Sequence, residues 1–325
     1  TVSTLPIATH SLPVVFCAQS DYPFLIAIHA RTRYSIVRSA YMEFETLATG
    51  YGLVEGPRTD EQNRLYYSDV RGGSVFRRSP DGEIEALLPD RKFVGGIALN
   101  EGGGILVTGL SLAQWNEQSG ELREIFAEWE GKPLFGLNDL TMDDQGSIWI
   151  GSFGCNIHQF DFKSTPPTGS LFRIDPPGQV THMWEGVEVT NGLGFSPDRK
   201  LLYHCDSTTR AVWAYEVRAD RTVSDRQLFA KLPEGMPDGM TVDVEGGVWV
   251  ATVAGRGEIV RFKPDGTVNR RIKVPAKTVT SVAFGGPDMC DLYVVTANND
   301  QRDLKGSVFR TRSDIPGLPV PKAQF

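Results

Sequence analysis

Residues 238–252 read DGMTVDVEGGVWVAT. An acid and a glycine lead into an alternating apolar run, an acidic glycine-containing turn follows, and a second apolar run closes the segment, which is the pattern of two short strands and the tight turn joining them. The pattern recurs as EGPRTDEQNRLYYSD from Glu55, GGIALNEGGGILVTG from Gly95, NDLTMDDQGSIWIGS from Asn138, NGLGFSPDRKLLYHC from Asn191 and TSVAFGGPDMCDLYVVT from Thr280. In chain order the six starts are 40, 43, 53, 47 and 42 residues apart. A third run follows, as in SVFRRSPDG, SLFRIDPPG, AVWAYEVRAD and EIVRFKPDG, and usually a fourth, such as EIEALL or QLFAKL. Four short strands per repeat of this length predict an all-β chain, a six-bladed β-propeller with four-stranded blades.

The sixth repeat stops after GSVFRTR with no outer strand of its own, and EFETLATG at residues 43–50 is the one strand-like run left over. If that run closes the last blade, the ring has no open edge. Composition marks the same point: residues 1–41 contain no Lys, no Glu and a single acid, Asp21, whereas both signs of charge abound from Met42 onward. The expected organisation is therefore a peripheral segment over 1–41 and a propeller domain over 42–325.

The 325 residues include 40% hydrophobic side chains, 34 glycines and 20 prolines, suited to a large core and many tight turns. The 33 basic and 40 acidic residues give a net charge of −7 with no basic run, which argues against a nucleic acid partner. No apolar stretch approaches the ~18 residues of a membrane helix, so no membrane partner is expected. Cys17, Cys155, Cys205 and Cys290 are far apart and form no zinc-type spacing, which reads as a reduced, cytoplasmic chain. The oligomeric state stays open.

In a propeller blade the innermost strand starts at one face, so the six starts ring one end of the central channel. They are Glu55, Gly95 or Gly96, Asn138, Asn191, Asp238 and Thr280. Glu55, Asn138, Asn191 and Asp238 carry side-chain oxygens, and this set suits a hard divalent cation whose double charge the two carboxylates would balance.

The segments LVEGP, GGIAL, LND, TNGLGFSPD, PDGMTVD and TSVAFGGPD, in this order and spacing over about residues 43–312, resemble the gluconolactonase family that includes senescence marker protein, or regucalcin. The resemblance implies a six-bladed propeller hydrolase with one divalent metal in the channel, acting on sugar lactones or related esters. It further implies Glu55, Asn191 and Asp238 as metal ligands, with Asn138 beside the metal holding water or substrate. Two positions depart from the family's pattern: Gly136 stands where an arginine is usual, and Thr59, after Arg58, where an aromatic is usual.

The expected function is metal-dependent hydrolysis of a lactone or small ester, with Asp238 as general base and Asn138 orienting water or substrate. Calcium is the first expectation for the ion, and Mg²⁺, Mn²⁺ or Zn²⁺ would also suit the set. The long loop from Phe153 to Gly169 should lie over the channel mouth and bring His158 towards a substrate, and Arg256 in AGRG could meet an anionic or carbonyl oxygen. Two alternatives stay open: a phosphotriesterase-type hydrolase on the same metal site, and a non-catalytic ligand-binding propeller. Trp149, Trp184, Trp213 and Trp249 fall at repeating strand positions and read as core.

Overall fold

A computed structural model describes residues 42–157, 159, 164–297 and 306–325. Six four-stranded antiparallel sheets follow one another along the chain. Their innermost strands are Val54–Thr59, Ile97–Leu99, Leu137–Met142, Thr190–Phe195, Met236–Val242 and Val279–Gly285, in blades one to six. The first five sheets run in simple sequence order, and the sixth takes its outer strand, Glu45–Tyr51, from the start of the propeller. That strand pairs antiparallel with Gly306–Arg312, Glu45 opposite Arg310 and Tyr51 opposite Gly306. The closure expected of the EFETLATG run is thus observed, and it covers the edge that the sixth blade would otherwise expose.

The core lies between blades rather than around a single centre. One cluster joins Val54, Leu65 and Tyr67 of blade one to Tyr293, Val295 and Val308 of blade six, and another joins Trp149 and Leu171 of blade three to Leu193, Phe195 and Leu202 of blade four. Each sheet is apolar on both faces because each face meets a neighbouring blade, which is why the second strands, such as Ile148–Ser152, are buried along their whole length. Trp149 and Trp249 are fully buried, as the repeat suggests, whereas Trp184 and Trp213 are only partly so.

The turns that join first to second strands share one device. Asp143 accepts hydrogen bonds from the N–H groups of Gln145 and Ser147 and from Nε1 of Trp149 (2.9 Å). Asp243 does the same for Glu245, Gly247 and Trp249 (2.7 Å), and Asp60 for Gln62, Arg64 and the Tyr66 hydroxyl. The aspartate therefore fixes the turn and ties it to an aromatic at i+6, packed between blades.

Beyond the last strand, residues 313–325 return across the end of the channel at which the inner strands finish, here called the lower mouth. The Leu318 N–H donates to Val242 O and the Gly317 N–H to Met289 O, while the Ala323 N–H donates to Leu99 O and the Phe325 N–H to Asn100 Oδ1. The tail thus runs from blades five and six to blade two, on opposite sides of the ring. Among the described residues no helix is long and apolar enough to cross a membrane.

Two outcomes follow. A chain beginning at Gly52 lacks the closing strand, with its Tyr51–Tyr67 edge contact at 5.4 Å, and should melt at least ~5 °C below one beginning at Met42, since ~1 kcal/mol corresponds to about 2–4 °C in a domain of this size; equal melting in differential scanning calorimetry would refute the closing role. The second concerns His204, fully buried with Nδ1 unpartnered and Nε2 2.7 Å from Thr190 Oγ1. Burial, reinforced by the Arg226 charge, holds its imidazole down to about 3. The unfolded chain takes up that proton near pH 6.5 and the folded one does not, so stability is lost as pH falls below about 6.5. Between pH 7 and pH 5 the wild type should lose about 2 kcal/mol more than His204→Leu; parallel pH profiles in urea titrations would exclude this histidine as the cause.

Candidate metal centre at the upper mouth

The inner strands begin at the upper mouth, and those of blades one, three, four and five carry their candidate residue at or next to a break in the ladder. Register shifts fall between Glu55 and Arg58, Leu137 and Leu140, Thr190 and Leu193, and Pro237 and Met240. Bulges of this kind re-aim side chains and end regular pairing. The four breaks coincide with Glu55, Asn138, Asn191 and Asp238.

Two of these positions are fixed by carboxylates that the sequence analysis left unused. Asp69, the last residue of Leu65–Asp69, accepts from the N–H groups of Gly52 (2.9 Å) and Leu53 (3.1 Å). Asp206, at the same place in Leu201–Asp206, accepts from those of Glu188 and Val189, both at 3.1 Å. In each blade the clamped amides lie three and two residues before the candidate, Glu55 or Asn191. The signal was available as a shared aspartate at the ends of LYYSD and LYHCD.

The carboxamides form a directed network. Asn138 Nδ2 donates to Thr190 O (2.7 Å) and to Asn191 Oδ1 (2.8 Å); Asn191 Nδ2 donates to Ser207 Oγ (2.9 Å), whose hydroxyl donates to Pro237 O (2.7 Å). Both amide donors of Asn138 are thus occupied, and its Oδ1 is left as an acceptor. That oxygen lies against Gly95, where any Cβ would overlap it. Glycine at the second-blade start therefore leaves the room that Asn138 needs. At the sixth start the Thr280 hydroxyl donates to Val54 O (2.5 Å), so this residue ties blade six to blade one.

Glu55 and Asp238 are only 9% and 7% exposed. Neither makes an ion pair with a basic side chain among the described residues. Burial pushes both carboxyls well above their usual range, and charge repulsion adds to it, from Asp238 and then Asp139 on Glu55, and from Asp139 on Asp238. Two buried acids without a counter-charge, beside two carboxamide oxygens, fit a hard divalent cation by donor chemistry. Among the described residues no three His, Cys, Asp or Glu side chains gather as a metal cluster, so carboxamides would have to complete the set.

Asp139, next in sequence to Asn138, is buried and has its own cation: Arg58 Nη2 lies 3.7 Å from its Oδ1. Burial raises the Asp139 carboxyl, and the Arg58 charge offsets part of that rise.

The remaining candidates stand apart from this quartet. Arg256 is exposed and paired with Glu234, Nη2 lying 2.9 Å from Oε1, and it makes no hydrogen bond or ion pair with any of the four. His158 lies outside the described residues. The space above Gly136 is taken by Phe153, whose Cδ2 would be 3.3 Å from a Cβ placed there. Cys155, Cys205 and Cys290 are free thiols.

Residues 53–298 match the family model described as SMP-30/gluconolactonase/LRE-like region. The pentonolactonase XacC of Haloferax volcanii is 34% identical over 274 residues, covering 83% of this chain and 90% of that protein. The 6-deoxy-6-sulfogluconolactonase of Pseudomonas putida is also 34% identical, over 79% of this chain and 89% of its own length. Among solved structures, the gluconolactonase of Xanthomonas campestris superposes with a TM-score of 0.72 at 25% identity, covering 85% of this chain and 90% of that one. With its six closed blades and a family match that spans the four candidate residues, the chain belongs to the SMP-30/gluconolactonase/LRE-like family of sugar-lactonase-type hydrolases.

Proposed function

We propose that this protein opens a lactone or related small ester by hydrolysis, using one divalent cation, calcium first, held by Glu55, Asn138, Asn191 and Asp238. The observation that carries the reading is the buried Glu55–Asp238 pair, which repels across the channel and has no basic partner among the described residues, at the end where Asn138 and Asn191 also start their strands. The lactonases among its relatives supply the substrate class. When bound, the cation would polarise the carbonyl and make water a stronger nucleophile at neutral pH.

The chain's own residues have distinct tasks. Asp238 accepts a proton from the attacking water and returns it to the ring oxygen as the acyl bond breaks, so that lactone and water become one hydroxy acid. Asn138 acts through Oδ1, since both its N–H donors are committed to Thr190 and Asn191. It can therefore accept a hydrogen bond and turn a water, but it cannot donate one to the carbonyl. Glu55 supplies the second negative charge and moves no proton.

Replacing Asp238 by Asn should lower kcat/KM on a sugar lactone, followed by acid release, by at least ~10²-fold while the far-UV circular dichroism is unchanged. Near-wild-type turnover would remove Asp238 from the mechanism. Calcium at about 100 times its Kd should stabilise chelator-treated protein by about 2.7 kcal/mol. Glu55→Gln should need more cation for the same shift and regain part of its rate when cation is in excess; a rate insensitive to cation at every concentration would remove the metal from the proposal.

A further inference from the structure

At the lower mouth, away from the quartet, lies a cavity of about 720 Å³ that touches all six blades. Its walls are largely apolar, with Met142, Leu193, Phe195, Met240 and Phe284 at the ends of the inner strands and Leu318 on the returning tail. Residues 318–322 cross it between the anchors at Val242 and Leu99. Neither the breaks in the ladder nor the carboxamide network reaches this end.

One charged side chain stands in that wall near the axis. Arg58 follows Glu55 by three residues, its side chain is 12% exposed, and it lines the cavity. A guanidinium has five N–H donors. Nη1 donates to Pro57 O (2.8 Å) and Nη2 to Leu140 O (2.9 Å). Nε is buried with no acceptor, and Asp139 at 3.7 Å lies beyond hydrogen-bonding distance. Three of the five donors have no acceptor among the described residues, the buried Nε–H and one N–H on each Nη. The other cations of the lining are already paired, Arg199 with Asp144 (3.0 Å) and Lys322 with Glu61 (2.8 Å). Asp60, Glu61 and Glu101 also line the cavity. Among the described residues a polyanion would meet those acids and a guanidinium already beside Asp139, whereas a monocarboxylate with an apolar body needs only the spare Nη donors of Arg58 and meets matching walls.

We propose that the lower-mouth cavity is a second ligand site, for a monocarboxylate with an apolar chain, whose carboxylate is held by Arg58 and whose chain lies along Met142, Leu193, Phe195, Met240 and Leu318 beneath the tail. The site is separate from hydrolysis at the upper mouth and does not depend on it.

The probe is octanoate, compared with 1-octanol and octylamine by isothermal titration calorimetry on the full chain. Octanoate should bind at least tenfold more tightly than octanol, with octylamine weakest. Arg58→Met should abolish the preference for the acid over the alcohol. Should that variant fold poorly with Asp139 left unpaired, Val320→Asp tests the same site on an exposed tail residue that lines the cavity: it should weaken octanoate at least fivefold and leave octanol within twofold. Asp238→Asn should bind octanoate as the wild type does, which separates this site from the candidate metal centre. No binding of octanoate, equal binding of acid and alcohol, or loss of binding in Asp238→Asn with none in Val320→Asp would each overturn the proposal.

Discussion

Six strands must share one axis, and the crowding this causes governs the rest of the molecule. At Gly192 a Cβ would meet Met240 N at 2.5 Å and Asp238 O at 2.7 Å, so the inner strands of blades four and five approach more closely than any side chain permits. Where strands pack this tightly the ladder to the second strand breaks, and the residue before the crowded position turns into the channel. Asn191 and Asp238 are such residues, followed by Gly192 and Gly239. The candidate site is thus tied to closure: the geometry that brings six blades together also puts Glu55, Asn138, Asn191 and Asp238 at the starts of their strands, at one end of the channel.

This explains why so much was legible in the sequence. Strand count, blade number and the closing strand follow from apolar alternation and turn chemistry, which are local and repeat six times. The candidate quartet was named from the same phase, since each of its members is the first residue of its repeat. The asymmetric contacts were out of reach. Nothing in AGRG says that Arg256 pairs with Glu234, because the two lie 22 residues apart and meet only through blade-five loops. Asp69 and Asp206 close similar motifs in sequence, but the amides they clamp lie 17 and 18 residues away, at Gly52 and Glu188, and no local pattern links them. The Arg58–Asp139 pair joins blades one and three across the axis, a relation that no periodicity encodes.

Charge along the channel is layered, and each layer constrains the next. Glu55 and Asp238 lie at the top with no basic partner among the described residues, Asp139 raises the cost of ionising both, and Arg58 partly neutralises Asp139. Without Arg58 three buried acids would face one another, so this arginine eases the electrostatic load on the quartet while touching none of its members. Its own burial has a cost, and burial lowers its pKa. The cost is moderated by the carbonyls of Pro57 and Leu140, which accept two of its protons, and by the proximity of Asp139.

The two ends of the channel therefore differ in kind although the same six strands form both. At the starts of the inner strands of blades one, three, four and five the bulge falls beside a polar side chain, and a set of carboxamides and carboxylates suits a hard cation. Past the bulge the regular ladder resumes, alternate residues such as Leu193, Met240 and Phe284 face the axis, and the channel becomes apolar. Arg58 sits at the change from one regime to the other, two residues beyond the glycine that follows Glu55. A cation placed there interacts with acids above and with an apolar chamber below, and the Nη donors that Pro57 and Leu140 leave over can be met by a ligand oxygen in that chamber.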